Sequence, residues 1–276
     1  MNIAPDDLIK YAQELSTPQD PALFSPKQYF MRSQASQNAI DKILDKDYST
    51  CFLFFHESFR KSFREKMGLK LSKANPLKGY KFEIYEVRGK QVALALLPEG
   101  APAAVRTLEE IQVLGFDKFI SIGICGGLQD DCAIGDILLI DQAVRDEGTS
   151  MHYQAPSVFS YPHFGFTEFL NNTMTKSELG HKFGLCWTTD APYRETKKKI
   201  AYWKKKITLG VEMECSALFS LAKFRGFAIS SVLIVSDVLN QETWDPQFSS
   251  SSISSSLDQV IHFFSSNLDQ IIDFES

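Results

Sequence analysis

Short apolar strands alternate with amphipathic helices through the middle of the chain, and this alternation most constrains its fold. The stretch AAVRTLEEIQVLG carries apolar residues at helical spacing and closes on Gly115. The strands predicted after it are DKFISIG, GDILLID, GLCWTT and FAISSVLIV. Strands that alternate with helices predict an α/β fold that is built on a largely buried sheet.

Further elements are predicted on either side of this pattern. STCFLFF is a strand that ends at His56, and KFEIYEV and VALALL flank Arg88-Gly89-Lys90, which has the composition of a hairpin turn. A helix is predicted from about Glu214 to Arg225, where Gly226 stops it. CGGL is predicted as a glycine turn, FSSSSISSS as a loop, and LDQVIHFFSSNLDQII as a final amphipathic helix.

The domain organisation is predicted to be simple. The sequence shows no internal repeat, so we expect one domain over residues 1–276. Residues 1–48 are polar and helical in composition, with breaks at Pro18, Pro21 and Pro26. We predict that this segment is an N-terminal extension of the domain.

Composition and charge exclude several classes of function. The chain has 44% hydrophobic and 23% charged residues, and its net charge of -5 gives no electrostatic support for nucleic-acid binding. The N-terminus lacks the apolar core of a secretory signal, and no window is apolar over the length of a bilayer. Five cysteines without CxxC spacing argue against a disulfide framework and against a zinc site. We therefore expect a cytoplasmic protein with buried, reduced thiols and with no metal, no membrane and no nucleic-acid partner.

The stretch VEMECSALFSLAKF places Glu212 and Glu214 directly before an apolar helix, although carboxylates are seldom buried without a partner. One interpretation is favourable placement at a helix N-terminus, where negative charge offsets the helix dipole. The other is a ligand site, because a carboxylate accepts two hydrogen bonds side by side and suits the 2'- and 3'-hydroxyls of a ribose. An anion there would also stabilise positive charge that develops on the sugar.

Ligands of open α/β sheets bind beyond the carboxyl ends of strands, and this rule indicates four further places: after CFLFF, at Pro98-Glu99-Gly100, at Ile124-Cys125-Gly126-Gly127 and at Ser236-Asp237. Gly126 and Gly127 follow a predicted strand, so their backbone N–H groups either hold an anion or form a tight structural turn. The pattern does not fit the GxGxxG motif of dinucleotide sites. Asp237 follows the apolar run LIVS, where it is either a cap for the next turn or a general acid at the mouth of a pocket.

Five segments together resemble the purine nucleoside and uridine phosphorylase family: SIGICGGLQDDCAIGDILL, AVRDEGTSMHY, TTDAPYRET, GVEMECSALFSLA and VSD. The resemblance runs from about Cys51 to Trp244. It implies a three-layer αβα sandwich around a curved, mostly parallel mixed sheet. It also implies a pentosyltransferase that cleaves the N-glycosidic bond of a nucleoside with phosphate, giving a free base and ribose 1-phosphate. Such an enzyme would be a homo-oligomer, dimeric or hexameric, with phosphate as co-substrate and no other cofactor.

The resemblance also implies roles for particular residues. Glu214 would grip the ribose hydroxyls and Met213 would pack on the sugar. Asp237 would protonate the departing base, and Tyr193 would lie near that base with Arg194 beside it. The other expected site residues are Glu212, Ser236 and Glu99 for the substrate, and Arg60, Gly100, Gly126 and Gly127 for phosphate.

The expected phosphate site departs from the family pattern. Ser121 stands where the family carries a phosphate-binding arginine, and Ile124 replaces a Ser or Thr that also holds phosphate. The glycine-rich GDPxR loop appears as HESFR at residues 56–60, so its arginine survives as Arg60 and its glycine does not. Arg60 is therefore either a phosphate ligand or a solvated arginine at the start of a helix.

Three interpretations of this incomplete site stay open. Phosphate is bound in a different way, or water replaces it with Glu57 or Glu99 as the base, or catalysis is lost and only nucleoside binding is retained. The nature of the base is also open, because AVRDEGTSMHY is more similar to the uridine branch of the family and VSD to the purine branch. We expect a purine nucleoside, with uridine as the alternative.

Overall fold

The computed structural model describes residues 21–30, 47–69, 71–74, 80–239 and 244–275. The predicted N-terminal extension therefore lies for the most part outside the described residues. Its described part contains one short helix, α1 (Pro26–Phe30), and the first residue of strand β1, Tyr48.

The described residues form one twisted sheet with helices on both sides. The strands are β1 (Tyr48–Phe54), β2 (Leu71–Ala74), β3 (Lys81–Val87), β4 (Lys90–Leu96), β5 (Lys118–Gly127), β6 (Ile137–Asp146), β7 (Phe159–Ser160), β8 (Lys182–Thr189), β9 (Gly210–Glu212), β10 (Ala228–Leu239) and β11 (Trp244–Pro246). The helices after α1 are α2 (Glu57–Lys66), α3 (Ala101–Gln112), α4 (Phe164–Lys176), α5 (Lys197–Lys204), α6 (Cys215–Arg225) and α7 (Ser251–Asp273). Single 3-10 turns lie at Ser150–His152 and Pro192–Arg194.

Two predicted chain reversals are confirmed. The hairpin between β3 and β4 turns at Arg88 and Gly89, whose φ angles are 52° and 81°. Such left-handed conformations are typical of tight hairpin turns. Helix α6 ends at Gly226, whose φ of 73° places it in the left-handed region that glycine adopts without strain.

Two predicted irregular segments are wrong. CGGL is not a turn, because β5 continues through Gly127 and pairs there with both β9 and β10. The serine-rich segment is not a loop from residue 251 onward, because the Ser250 hydroxyl accepts a hydrogen bond from the Ser252 N–H and caps α7. Ile253 is buried at the start of the same helix, so its apolar stripe begins earlier than predicted. Helix α4 had no predicted counterpart.

The sheet topology brings the ends of three strands together. β5 runs parallel to β1 and to β10, and its last two residues pair antiparallel with β9. Pairings continue from β10 through β6 and β8 to β9 and back to β5, so this part of the sheet closes on itself. The sheet is mixed as expected, although only five of the eleven pairings between described strands are parallel.

The three-layer arrangement is confirmed by the direction of alternate side chains. In β1, Cys51 and Leu53 enter one apolar core and Phe52 and Phe54 enter the other, because successive residues of a strand face opposite sides. Helices α3 and α6 cover the first core, and α2, α4 and α7 cover the second. Burial of a side chain such as Phe52 contributes roughly 1.5–3 kcal/mol to stability.

Two expectations from composition concern the whole chain. All five cysteines are free and buried, as expected for reduced thiols. Among the helices of the described residues, none combines the length and the apolar character that a membrane span needs.

Candidate active site

A cavity of about 770 Å³ opens at the edge of the sheet where β5, β9 and β10 meet. This volume is typical of a site for a small molecule. Eight of the expected site residues line it: Glu99, Gly126, Tyr193, Glu212, Met213, Glu214, Ser236 and Asp237. Four do not: Arg60, Gly100, Gly127 and Arg194. The residues expected to bind the substrate are thus brought together except for Arg194, and of those expected to bind phosphate only Gly126 lines the cavity.

Glu214 lies between β9 and α6 and projects into the cavity from a buried position. Its Oε1 accepts a hydrogen bond of 2.5 Å from the backbone N–H of Gly100. Gly100 has a φ of 90°, which favours glycine, so the expected phosphate residue instead positions a glutamate. Burial first, and then the negative charge of Glu212, raise the pKa of Glu214 to about 8.

Glu212 has a different role from Glu214, because β9 ends at Glu212 and helix α6 begins at Cys215. Its Oε2 accepts hydrogen bonds of 2.7 Å from the N–H groups of Glu214 and Cys215, at the start of α6. Its Oε1 accepts a hydrogen bond from the Thr188 hydroxyl and another from the Cys186 thiol. Burial raises the pKa of Glu212, and these hydrogen bonds oppose the increase. A carboxylate has about four acceptor positions, so none remains for a ribose.

Asp237 lies inside β10, which continues to Leu239, and the reading as a cap for the next turn is therefore wrong. The register between β10 and β5 shifts at Ser236, which aims the next side chain at the cavity. The Ser236 hydroxyl donates to Asp237 Oδ1 at 2.8 Å, and the Trp244 indole N–H donates to Oδ2 at 2.8 Å. Both carboxylate oxygens are thus held by protein donors.

Glycine is required at positions 126 and 127 because neighbouring strands leave no space for a side chain there. A Cβ on Gly126 would collide with the side chain of Leu239 and would lie 3.2 Å from Asp237 Oδ2. A Cβ on Gly127 would lie 3.0 Å from Val235 Cγ1. Both residues pair with β9 and with β10 in the sheet. The prediction that their backbone N–H groups hold an anion is therefore wrong.

Arg60 is bound by two carboxylates instead of facing the cavity. Its Nε and Nη2 donate to both oxygens of Glu57 at 3.0 and 2.9 Å, and its Nη1 donates to Glu83 Oε2 at 2.5 Å. The hydrogen bond to Glu57 raises the pKa of Arg60. Arg60 is only 5% exposed, so it is neither the expected phosphate ligand nor a solvated arginine.

The two other positions of the expected phosphate site are also unsuited to an anion. The Ser121 hydroxyl is buried in a hydrogen bond with Ser231, away from the cavity, and Ile124 presents an apolar side chain to it. Among the described residues that line the cavity, Lys197 is the only lysine or arginine. Five carboxyl groups line the same cavity: Glu99, Glu195, Glu212, Glu214 and Asp237. The cavity is therefore acidic.

Several lining residues had no predicted role. Glu195 follows the 3-10 turn after β8, and burial together with the negative charge of Asp237 raises its pKa to about 7, against the effect of Lys199. Glu195 stands inside the segment TTDAPYRET, so its motif was a signal that was available in the sequence. Trp244 had no such signal, because its contact with Asp237 depends on the pairing of β11 with β10.

The rim of the cavity is aromatic. Tyr193 is fully exposed there, and Trp244 and Phe248 lie on the same wall with ring centroids 6.2 Å apart. Arg194, which was expected beside the base, is exposed and does not line the cavity. These rings offer apolar faces on which a flat base could stack.

One group of described residues could hold a metal ion by distance alone. Cys186, Glu212 and Cys215 offer ligand atoms within 4.8 Å of one another. Burial raises the pKa of Cys215 to about 11 and that of Cys186 well above its usual value. A metal would need both thiols deprotonated, and it would also displace the hydrogen bonds that Glu212 accepts. We interpret this cluster as packing beneath the cavity.

Comparisons with known proteins place this chain in a family. The model of the phosphorylase superfamily matches residues 60–265. A guanosine phosphorylase of Halorubrum lacusprofundi is 28% identical over 56% of this chain and 65% of its own length. A uridine phosphorylase of Treponema pallidum is 31% identical over 49% of this chain and 57% of its own length. A DeoD-type purine nucleoside phosphorylase of Clostridium novyi is 29% identical over 56% of this chain and 69% of its own length. The chain thus spans less than two thirds of the length of the first two relatives.

A solved structure of uridine phosphorylase from Vibrio fischeri superposes with a TM-score of 0.67 over 80% of this chain and 92% of that chain. At 21% identity this likeness shows the fold. The family model covers most of the chain, from α2 into α7. This chain therefore belongs to the phosphorylase superfamily.

Proposed function

We propose that this chain is a nucleoside phosphorylase that cleaves the N-glycosidic bond of a purine nucleoside with phosphate. The products are the free base and ribose 1-phosphate, and phosphate is a co-substrate. The observation that carries the proposal is that Glu214, Met213 and Asp237 line one cavity of suitable size at the sheet edge. Membership of the phosphorylase superfamily and the names of the relatives support it.

The sugar end of the reaction is assigned to Glu214 and Met213. Cleavage of the glycosidic bond develops positive charge on the sugar, and a buried carboxylate close to it stabilises that charge. Glu214 is fixed by Gly100, so it is held in place before the substrate arrives. Hydroxyls of the ribose would donate to Glu214, and this favours its ionised form over the protonated form of the empty cavity.

The base end of the reaction is assigned to the wall that contains Asp237 and Glu195. Negative charge develops on the departing base, and a proton from a nearby carboxyl neutralises it. The aromatic rim at Tyr193 and Trp244 would cover the base. The purine assignment rests on the VSD sequence, with uridine as the alternative base.

A second candidate function is hydrolysis, and the state of Arg60 favours it. Its guanidinium is bound to Glu57 and Glu83, so the surviving arginine of the family's phosphate loop is not available in the cavity. Water requires no cationic site. Glu57 is occupied by Arg60, which leaves Glu99, whose Oε1 lies 3.9 Å from His56 Nδ1, to orient a water molecule.

The test is base release from inosine, adenosine and uridine, with and without phosphate, while the sugar product is identified. Phosphate-dependent release with ribose 1-phosphate is the expected result. Release of free ribose without phosphate would establish the second candidate. Binding without release from any nucleoside would contradict both, and would leave a nucleoside-binding protein that has lost catalysis.

A further inference from the structure

Three consecutive residues at the end of β6 connect elements on both sides of the cavity. Asp146, Glu147 and Gly148 stand inside AVRDEGTSMHY, a segment that carries the resemblance to the family but no predicted role. None of these three described residues lines the cavity. Glu147 Oε1 accepts a hydrogen bond of 2.9 Å from the hydroxyl of Ser216, on the helix that follows Glu214. The other two residues reach the opposite side of the cavity.

Asp146 joins the start of α5 to the sheet. Its Oδ2 accepts a hydrogen bond of 3.0 Å from the indole N–H of Trp187, on β8, and one of 2.7 Å from Lys199 Nζ, on α5. The Lys199 ammonium also lies 5.6 Å from the centroid of the Trp187 ring. Because Trp187 is fully buried, its indole N–H gives the Asp146 carboxylate a fixed orientation. Lys199 is therefore held by a rigid partner.

Gly148 holds the other end of the same stretch of chain, residues 190–199, which we call the base-side segment. Its N–H donates a hydrogen bond of 2.8 Å to Asp190 Oδ2, directly after β8. In the described part of the chain, side chains of the base-side segment form hydrogen bonds with no residue outside it except Asp146 and Gly148. Four residues of the segment line the cavity: Pro192, Tyr193, Glu195 and Lys197.

Burial does not hold the base-side segment in place. None of its ten residues is buried, and Ile200 is the first buried side chain after Thr189. Tyr193 is fully exposed at the rim of the cavity. A segment with so few buried contacts opens at a low cost in free energy. Its position beside the cavity therefore depends on the two anchors at its ends.

We propose that Asp146 is a positioning residue for base recognition, because by holding Lys199 it keeps the base-side segment in contact with the base. Asp146 itself does not touch the substrate. This inference rests on the proposed function and deepens it, since it names a residue outside the cavity on which affinity for the base depends. The same anchor serves phosphorolysis and hydrolysis, because both reactions require the base to be held in one orientation.

The experiment compares Asp146→Asn, Lys199→Met and the double variant, with Lys204→Met as the matched control. Lys204 lies on the same helix and pairs with Asp130, and neither of these two residues lines the cavity. Asp146→Asn and Lys199→Met should each raise KM for inosine by about three- to tenfold and leave kcat within about twofold, as loss of a partly exposed charged contact that acts on binding does. The double variant should be no worse than either single variant, because all three remove one interaction.

A second readout does not depend on turnover. Amide hydrogen exchange in the base-side segment should become about three- to tenfold faster in Asp146→Asn, because loss of the anchor lowers the free energy of local opening. Exchange in the same segment should stay at the wild-type rate in Lys204→Met.

Three results would overturn the proposal. Wild-type KM and wild-type exchange in Asp146→Asn would show that the base-side segment holds its position without this anchor. An increase in KM in Lys199→Met alone would mean that Lys199 acts through its charge and not through Asp146. An equal increase in Lys204→Met would reduce the effect to the general stability of α5. Failure of the proposed function has a separate signature, because the wild type would then release no base, while hydrogen exchange would still report whether Asp146 anchors the segment.

Discussion

The polar residues expected to bind the sugar and those expected to bind phosphate have different partners in the structure. Glu214, the residue proposed for the sugar, has a buried carboxyl that lines the cavity and accepts a hydrogen bond from the backbone N–H of Gly100. At the expected phosphate end, Arg60 binds two glutamates and Gly126 belongs to a strand ladder. Glu214 faces the cavity, whereas Arg60 and Gly126 make contacts within the protein that stabilise the fold.

The difference teaches that a residue at a motif position can bind the protein itself and not face the cavity. Arg60 stands at the expected position in the sequence, yet its guanidinium pairs with Glu83 on β3. Glu214, in contrast, lines the cavity. Three substitutions and one pH dependence test this comparison, and they follow in order of expected effect.

Removal of the Glu214 charge should have the largest effect. Glu214→Gln should lower kcat/KM for a nucleoside by about 10²–10³-fold, because a preorganised charge that stabilises the transition state is lost. Steady-state kinetics on inosine measure this change, with Glu86→Gln as the exposed control. Unchanged kcat/KM would show that the sugar does not bind beside Glu214.

Removal of Arg60 should destabilise the fold without changing the use of phosphate. Arg60→Ala should lower the free energy of unfolding by about 3 kcal/mol, since it leaves Glu57 and Glu83 without their cation. Denaturant unfolding measures this, and KM for phosphate should stay within twofold. Arg64→Ala is the matched control on the same helix, and its more exposed contacts should contribute less than about 1 kcal/mol. A large increase in KM for phosphate with little loss of stability would return Arg60 to the phosphate site.

A methyl group on Gly126 tests the close packing at the cavity floor. Gly126→Ala should cost about 1–3 kcal/mol of stability, because the new Cβ displaces Leu239. It should also weaken nucleoside turnover, since Asp237 Oδ2 lies 3.2 Å from the new atom. Gly180→Ala is the control, because nothing lies within 4 Å of its Cβ. Equal stability of the two variants would contradict the packing role.

The smallest expected effect is on the pH dependence of stability. The pKa of Glu214 rises from 4.5 to about 8 on folding, so its contribution is complete below about pH 4.5 and is lost as the pH rises through about 8. The Tm of the wild type should therefore fall from pH 5 to pH 8 more steeply than that of Glu214→Gln. Thermal unfolding at the two pH values measures the slopes, and parallel slopes would contradict the raised pKa.

The sequence predicted features that depend on local spacing. The hairpin at Arg88-Gly89 and the end of α6 at Gly226 follow from turn and cap chemistry within a few residues. The meeting of Glu214 with Asp237 at one cavity followed from the resemblance to a family. In each case the determining information lay in a short segment.

Features that depend on the pairing of strands far apart in the sequence could not be predicted from short segments. The partner of Arg60 on β3, the ladder at Gly126 and the hydrogen bond from Trp244 to Asp237 all require the register of separate strands. The role of Glu212 required the exact point at which β9 ends and α6 begins. Periodicity indicates that a strand exists, but not which side chain faces it across the sheet.

The most direct test of the central claim is a crystal structure of the protein with a bound purine nucleoside. We expect the ribose 2'- and 3'-hydroxyls within hydrogen-bond distance of the Glu214 carboxylate, and the base between the aromatic rim and the wall that contains Glu195 and Asp237. A nucleoside bound outside this cavity, or one whose ribose lies away from Glu214, would contradict the account.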